Sequence, residues 1–236
     1  MLLDMVFLVI SAVISGANNW KEIEVFGKSQ ILWLQKFVPL KNGIPSHDTL
    51  GRVFSILDHE KFSQCFMDWV QTISSLANGE VVAIDGKRLC GSSDKVLGIK
   101  AVHMVSAFAS ENGLCLGQTT CDEKSNEITA IPVLLDLLSI KDCTVTIDAM
   151  GCQSKIAEKI IEKEAGYILA VKENQKELHE QVVKMFEIKK PQSTDIDIDS
   201  GHGRVETRKC EVVSDLAFFD VEKEWTGLKT VVRIES

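Results

Sequence analysis

The sequence lacks an excess of positive charge. Of its 236 residues, 26 are lysine or arginine and 34 are aspartate or glutamate, which gives a net charge of −8 at pH 7. Modules dedicated to nucleic-acid binding are usually basic, so this balance argues against such a module. It leaves open an enzyme that carries a local basic patch on an acidic body.

The sequence also lacks paired cysteine motifs. Its seven cysteines are an odd number, and none lies three positions from another. This spacing argues against a disulfide framework or a zinc site and favours a reducing, cytoplasmic location. We therefore interpret the cysteines as small apolar residues within helices and strands.

The apolar N-terminus is too short for a membrane span. Residues 1–14 contain Asp4 and have no basic segment before them, so they also make a poor signal peptide. We interpret them as a buried helix that ends near Ser15. A core helix that begins at residue 1 predicts that further sequence precedes it.

Residues 1–78 have no strand pattern and predict an α-helical domain. Apolar side chains recur at helical spacing in 20–37 and 59–76, and Asp48 is a candidate cap for a helix between them. The segment 39–46 contains two prolines and a glycine and predicts a turn-rich break.

The pattern changes after Gly79, where residues 79–236 predict a second domain. The predicted strands are 81–85, 102–110, 114–121, 144–148 and 167–171, and the predicted helices are 127–138, 153–164 and 175–186. The second and third strands flank an Asn-Gly hairpin signal at 112–113. The order β-β-β-α-β-α-β-α is typical of an α/β fold with a mixed sheet flanked by helices.

Regularity falls after Lys190. Asp195, Asp197 and Asp199 alternate with isoleucine, which favours a solvated loop or an edge strand over a metal-binding cluster. Residues 204–213 and 230–234 predict two further strands.

Two of the predicted strands share one signature. Residues 81–86 and 144–149 are each a short apolar or β-branched run followed by an aspartate and a small residue. Ligands of open α/β sheets bind at this edge, so Asp85 and Asp148 could together hold a divalent metal for phosphodiester chemistry. At this point the alternative stays open that each aspartate only forms a turn.

Several longer strings resemble a known family. The strings are 42–49, 84–87, 122–132, 146–153 and 201–208. Together they resemble the ISAs1 family of insertion-sequence transposases, which includes the H-repeat-associated proteins. The resemblance covers nearly the whole chain and implies a ribonuclease H-like fold for residues 79–236, preceded by the helical domain 1–78.

The resemblance implies the chemistry of DDE transposases. An Asp-Asp-Glu triad would bind two divalent ions, Mg²⁺ or Mn²⁺, for phosphodiester hydrolysis and strand transfer. Carried over by motif, Asp85 and Asp148 are the first two catalytic, metal-binding acids. The implied partners are the terminal inverted repeats and target DNA, with self-association and without a membrane.

The third acid of the triad is not evident. The family resemblance implies a catalytic glutamate in a Trp-x-Ile-Glu-Asn-like stretch, which this sequence lacks. Glu206 is a local candidate, and the alternative is that it pairs with Arg204 or Arg208 on the same strand face. The resemblance thus predicts a core that is incomplete at its C-terminus, with a β-rich insertion starting at about residue 191. The second hypothesis is a catalytically inactive remnant that at most binds DNA or a full-length transposase.

Five basic residues are candidates for DNA binding. They are Lys87, Arg88, Lys172, Arg204 and Arg208. Lys87 and Lys172 follow predicted strands near the two aspartates and could hold phosphates. Where the family pattern has an arginine this sequence has Cys90, and a thiol cannot replace a bidentate guanidinium donor.

Overall fold

The computed structural model describes residues 2–73, 76–89, 92–93, 101–121, 127–201, 204–217, 219 and 224–235. The chain divides into two compact units, Met1–Phe62 and Ser63–Ser236. This division precedes the predicted domain boundary at residue 78, because Met67 and Val70 are buried in the second unit.

The first unit is helical, as predicted. Its helices are α1 (Leu2–Ile14), α2 (Trp20–Ser29), α3 (Ile31–Leu34) and α4 (His47–Ile56), and α5 (His59–Ile73) begins in this unit and continues into the second. Leu8, Ile23, Leu34 and Leu50 form its core. No helix in the described part of the chain is both long and apolar enough to cross a membrane.

One glutamate joins two helices of the first unit. The carboxylate of Glu24 accepts hydrogen bonds from the backbone N–H of His47 at 2.7 Å and from Lys28 Nζ at 2.5 Å. These contacts lower the pKa of Glu24 to about 2. His47 begins α4 directly after its N-cap Ser46, so part of the string 42–49 has a structural role here.

The second unit contains a five-stranded mixed sheet. Its strands are β1 (Val81–Arg88), β2 (His103–Ala109), β3 (Leu114–Cys121), β4 (Thr144–Ile147) and β5 (Gly166–Leu169), in the order β3-β2-β1-β4-β5. The β1–β2 and β2–β3 pairs are antiparallel, and β1–β4 and β4–β5 are parallel. The helices are α6 (Glu127–Leu137), α7 (Ser154–Glu162) and α8 (Lys176–Ile188). This is the predicted ribonuclease H-like arrangement.

Alternation along the strands separates the two faces of this sheet. Val82 and Ile84 of β1 and Val145 and Ile147 of β4 are buried in one core, which also contains Leu134 of α6. The intervening residues of both strands are less buried. A period of two residues therefore places the residue after each buried isoleucine on the opposite face.

The predicted Asn-Gly hairpin joins β2 to β3. Gly113 adopts φ +65°, a conformation that glycine reaches without strain. The buried carboxylate of Glu80 accepts hydrogen bonds from the N–H of Glu111 at 2.9 Å and from Asn112 Nδ2 at 2.8 Å. The buried Glu80 carboxylate therefore holds the hairpin turn through these two hydrogen bonds.

A second, three-stranded antiparallel sheet follows α8. It consists of β6 (Ser193–Gly201), β7 (Arg204–Val213) and β8 (Val231–Glu235), with β7 in the centre. The segment that contains Asp195, Asp197 and Asp199 is an edge strand, which settles the open choice between a loop and a strand. Val213 and Val231 bury one end of this sheet in a core with Leu178 and Met185 of α8.

Candidate functional site

The structure brings Asp85 and Asp148 together on neighbouring parallel strands. Ile84 of β1 and Ile147 of β4 are register partners and face the same core. Asp85 follows Ile84 within β1, and Asp148 follows Ile147 directly after the end of β4, so the two acids come just beyond the last register pair of neighbouring strands. Both residues are exposed. This register agrees with the predicted proximity of the two acids, which stays a prediction for their carboxylates.

A short 3₁₀ turn, Ala149–Gly151, fixes the backbone after Asp148. Asp148 is its N-cap, and Oδ1 accepts hydrogen bonds from the N–H groups of Met150 at 3.0 Å and Gly151 at 3.4 Å. A Cβ on residue 151 would lie 2.3 Å from Ile147 Cγ2, so only glycine fits here. Asp148 therefore forms a turn and also presents its carboxylate at the sheet edge.

A buried glutamate lies beneath Asp85, on the other face of β1. The carboxylate of Glu127, at the start of α6, occupies the space that a Cβ on Gly86 would need, with Cδ at 2.4 Å from that position. Glu127 is only 6% exposed. The glycine after Asp85 therefore lets the side chain of Glu127 approach the backbone of β1.

An open pocket of about 660 Å³ lies beside Asp148. Its walls are formed by Asp148, Ala149, Met150, Lys172, Glu173, Asn174 and His179. These residues come from the turn after β4, the turn after β5 and helix α8. The pocket therefore lies at the carboxyl edge of the parallel strands, where α/β sheets bind ligands.

Two lysines flank the acids without neutralising them. Lys87 lies two residues after Asp85 on β1, hence on the same face, and Lys172 lines the pocket beside Asp148. Within the described residues, neither lysine and neither aspartate takes part in an ion pair. Arg88 pairs in register with His103 and points to the other face of β1.

The other candidate residues lie on the three-stranded sheet. Glu206 and Arg208 share one face of β7, and Arg208 Nη2 donates a hydrogen bond to Glu206 Oε2 at 3.0 Å. This is the ion pair that the sequence left open as the alternative role of Glu206. For Arg204 the structure describes only the backbone, which pairs with Gly201.

No third metal ligand joins the two aspartates in the described part of the chain. Among those residues, no group of three or more histidine, cysteine, aspartate or glutamate side chains is arranged to hold a metal ion. This includes the aspartates of β6. Cys90, residues 122–126 of the string 122–132, and residues 202–203 lie outside the described residues.

The cysteine of the string 146–153 is a core residue. Cys152 is fully buried, and burial raises the pKa of its thiol to about 11. The thiol therefore stays protonated at neutral pH and packs as a small apolar group. This agrees with the interpretation from the sequence.

Sequence reasoning did not identify two residues of the pocket wall, Asn174 and His179. The side chain of Asn174, and that of Gln175 at the start of the predicted helix 175–186, both reach the turn after Asp148. His179 was not singled out and lines the pocket from α8. A usable signal was present, because the string Lys172 to Gln175 leaves β5 at the same sheet edge as Asp148 leaves β4.

Comparison with protein families gives two adjacent matches. Residues 1–70 match the family described as DDE_Tnp_1-associated, and residues 77–214 match the family described as Transposase DDE domain. The second match covers more than half of the chain and includes both aspartates.

Curated relatives carry transposase names. A protein of Escherichia coli O157:H7, "Putative transposase YncI", is 48% identical over 232 residues, which are 96% of this chain and 59% of that relative. The K12 protein of the same name is also 48% identical, and the match covers 89% of this chain and 86% of the relative. The K12 "H repeat-associated putative transposase YhhI" is 43% identical, with 96% and 61% covered. The chain thus spans about three fifths of two of these relatives.

Among solved structures, a piggyBac transposase synaptic complex with hairpin DNA matches 98% of this chain and 51% of its own chain. The TM-score is 0.43 and the identity 13%, which is too low to support an argument about the site.

Proposed function

Because the chain belongs to the DDE transposase family of ISAs1-like insertion sequences, we propose that its second unit is the catalytic core of such a transposase. The proposed reaction is metal-dependent hydrolysis of a DNA phosphodiester at the element end, followed by strand transfer into target DNA. The partners are therefore the terminal inverted repeats and the target DNA.

The observation that carries this proposal is the pair Asp85 and Asp148. The strands β1 and β4 are adjacent and parallel, the two aspartates directly follow the register partners Ile84 and Ile147, and both are exposed. Two unneutralised carboxylates side by side repel each other, so the arrangement costs free energy unless a cation binds between them. An open pocket beside Asp148 offers space for a phosphate-bearing substrate.

The donor set fits one hard divalent cation. Mg²⁺ is commonly held by one or two protein carboxylates together with water and substrate phosphates, which is what Asp85 and Asp148 offer. Asp148 Oδ1 is already occupied by two backbone N–H groups, so the other carboxylate oxygen is the one available to a metal. When bound, Mg²⁺ or Mn²⁺ would lower the pKa of the attacking water and stabilise charge on the phosphate. The family expectation of two ions requires a further ligand.

Two lysines near the aspartates would bind the DNA backbone. Lys87, on the same face as Asp85, and Lys172, in the pocket wall, would hold phosphate oxygens of the DNA backbone. Such contacts position the DNA strand and carry no sequence information. Because the whole chain is acidic, we expect binding of unspecific DNA to be weak and only modestly dependent on salt.

Metal binding tests the proposal directly. Titration calorimetry with Mn²⁺ should show saturable binding to the intact chain, and Asp85→Asn and Asp148→Asn should each abolish it. Asp197→Asn is the matched control, because it removes an exposed aspartate from the three-stranded sheet. Binding that survives both substitutions at the sheet edge would contradict the proposed site.

A second candidate is a DNA-binding chain without catalytic activity. It is favoured by the absence, within the described residues, of a third ligand beside the two aspartates. In that case Mn²⁺ would bind to the pair, but the DNA would not be cut.

Plasmid cleavage separates the two candidates. The substrate is a supercoiled plasmid that carries the DNA flanking the coding sequence, incubated with Mn²⁺ and the intact chain. Cuts confined to the element ends support the transposase, whereas metal binding without nicking supports the inactive chain. Nicks spread over the whole plasmid would instead indicate a general nuclease.

A further inference from the structure

Two amide side chains link the turn after β5 to the turn after β4. Asn174 Nδ2 donates a hydrogen bond to the carbonyl of Ala149 at 2.6 Å, and Gln175 Nε2 donates one to the carbonyl of Cys152 at 2.9 Å. The two accepting carbonyls bracket the 3₁₀ turn that follows Asp148. One short segment thus holds both ends of the turn.

These bonds continue the sheet beyond its last backbone pairing. Between β4 and β5 the register ends at Ile147 and Leu169, and Ala170 N–H donates one more hydrogen bond to the Ile147 carbonyl at 3.1 Å. After these residues, the segments that follow β4 and β5 leave the sheet in separate turns. The amides of Asn174 and Gln175 then supply the cross-links that backbone groups no longer make.

The segment that carries the amides is itself ordered. Residues Glu173–Gln175 form a 3₁₀ turn, and Gln175 N–H donates to the Lys172 carbonyl at 3.0 Å. Helix α8 begins at the next residue, and its buried Leu178 packs in the core that also contains Val213 and Val231. The side-chain amides of Asn174 and Gln175 therefore lie on a short segment whose backbone is fixed at both ends.

The opposite side of the Asp148 turn is already rigid. Gly151 packs against Ile147 and Ile131, and Cys152 is fully buried. Core packing thus fixes Gly151 and Cys152, and the amides fix the carbonyl groups of Ala149 and Cys152. Asp148 Oδ1 receives its hydrogen bonds from the N–H groups of this same turn, so the orientation of the carboxylate depends on both.

We propose that Asn174 and Gln175 are positioning residues for Asp148. They clamp the turn through its carbonyl groups, and they hold the Asp148 carboxylate in the direction required for metal binding. The inference rests on the proposed function for its consequence, because a fixed carboxylate matters only where it binds a metal. Groups that orient metal ligands typically change metal affinity ten- to a hundredfold when removed.

Hydrogen exchange tests the clamp without any metal. In Asn174→Ala and Gln175→Ala, the N–H groups of Met150 and Gly151 should exchange about tenfold faster, because each variant loses a hydrogen bond that holds the turn. Amides of the β2–β3 hairpin should not change. Asn174→Asp should behave like the alanine variant, since it keeps the size of the side chain but loses the donor.

Gln153→Ala is the matched control. Gln153 adjoins the same turn, and in the described part of the chain its amide makes no hydrogen bond. This variant should leave exchange at Met150 and Gly151 unchanged. Unchanged exchange in the Asn174 and Gln175 variants, or faster exchange throughout the second unit, would overturn the clamp.

Mn²⁺ affinity tests the consequence. The alanine variants at 174 and 175 should bind Mn²⁺ about tenfold more weakly than the intact chain, while Gln153→Ala keeps its affinity. Faster local exchange with unchanged Mn²⁺ affinity would show that the clamp does not serve the metal site and would overturn the proposal. If the intact chain binds no Mn²⁺, the proposed function fails, and the exchange data still decide whether the amides hold the turn.

Discussion

Two glutamates of the three-stranded sheet differ in charge environment from two aspartates of the five-stranded sheet. On the three-stranded sheet, Glu206 is paired with Arg208, and Glu211 is paired with both Lys209 and Arg233. At the edge of the five-stranded sheet, Asp85 and Asp148 follow the register partners Ile84 and Ile147, and neither has an ion-pair partner within the described residues. The difference separates acids whose charge is balanced inside the protein from acids whose charge is not.

The distinction matters because all of these acids lie on or beside strands. Position in a strand therefore does not distinguish a structural acid from a proposed metal-binding one; the charge of the neighbouring side chains together with the position at the carboxyl edge of the parallel strands does. A carboxylate with a fixed cation beside it has its charge neutralised within the protein. A pair of unneutralised carboxylates favours an external cation.

The largest effect is expected at Glu211. Glu211 is 6% exposed, and Arg233, which binds it, also lies over the Phe186 ring of α8 at 4.8 Å. Glu211→Gln removes the charge that pairs with Lys209 and Arg233, so the Tm should fall by several degrees. Thermal unfolding followed by circular dichroism measures this, and Mn²⁺ affinity should be unchanged.

The loss of Tm caused by Glu211→Gln should depend on pH. Lys209 and Arg233 lower the pKa of Glu211 below its ordinary value of 4.5. Its contribution to stability is therefore fully present above about pH 4.5 and is lost as the pH falls through the lowered pKa. The difference in Tm between the intact chain and Glu211→Gln should shrink as the pH falls from 7 to 3. A difference that stays constant over this range would show that the charge of Glu211 is not the stabilising feature.

Much of this comparison could be foreseen from the sequence. The strands carrying Asp85 and Asp148 were predictable, because a buried strand followed by an acid and a small residue is a local pattern. The element order was predictable for the same reason. The edge strand β6 was left open between a loop and a strand, since alternating Asp and Ile residues satisfy both.

The remainder depends on contacts between distant segments. Glu127 lies against Gly86, and Asn174 lies against Ala149. No regular sequence spacing predicts either contact. The ion pair of Glu206 with Arg208 is a spacing of two on one strand, so it was named as an alternative. Only the atomic positions show that Glu206 forms this ion pair with Arg208.

A smaller effect, of opposite sign, is expected at the aspartate pair. Asp85→Asn removes one of two adjacent negative charges without changing the size of the side chain, so without metal the Tm should rise by about 1–2 °C. Residues kept for function often cost stability in this way. The measurement is thermal unfolding in chelator at low salt, with Asp197→Asn as the control for a general loss of negative charge. A clear fall in Tm would mean that Asp85 stabilises the fold and would weaken the contrast between the sheets.

The smallest effect is expected at Glu206. Its pair with Arg208 is exposed, with both side chains about half accessible, and such pairs contribute about 0.5 kcal/mol or less. Glu206→Gln and Arg208→Ala should therefore leave the Tm nearly unchanged, and Glu206→Gln should bind Mn²⁺ as tightly as the intact chain. A loss of Mn²⁺ binding in Glu206→Gln equal to that in Asp148→Asn would make Glu206 the third acid of the triad. The two sheets would then have to meet at one metal site, and the ion pair with Arg208 would be only a resting arrangement.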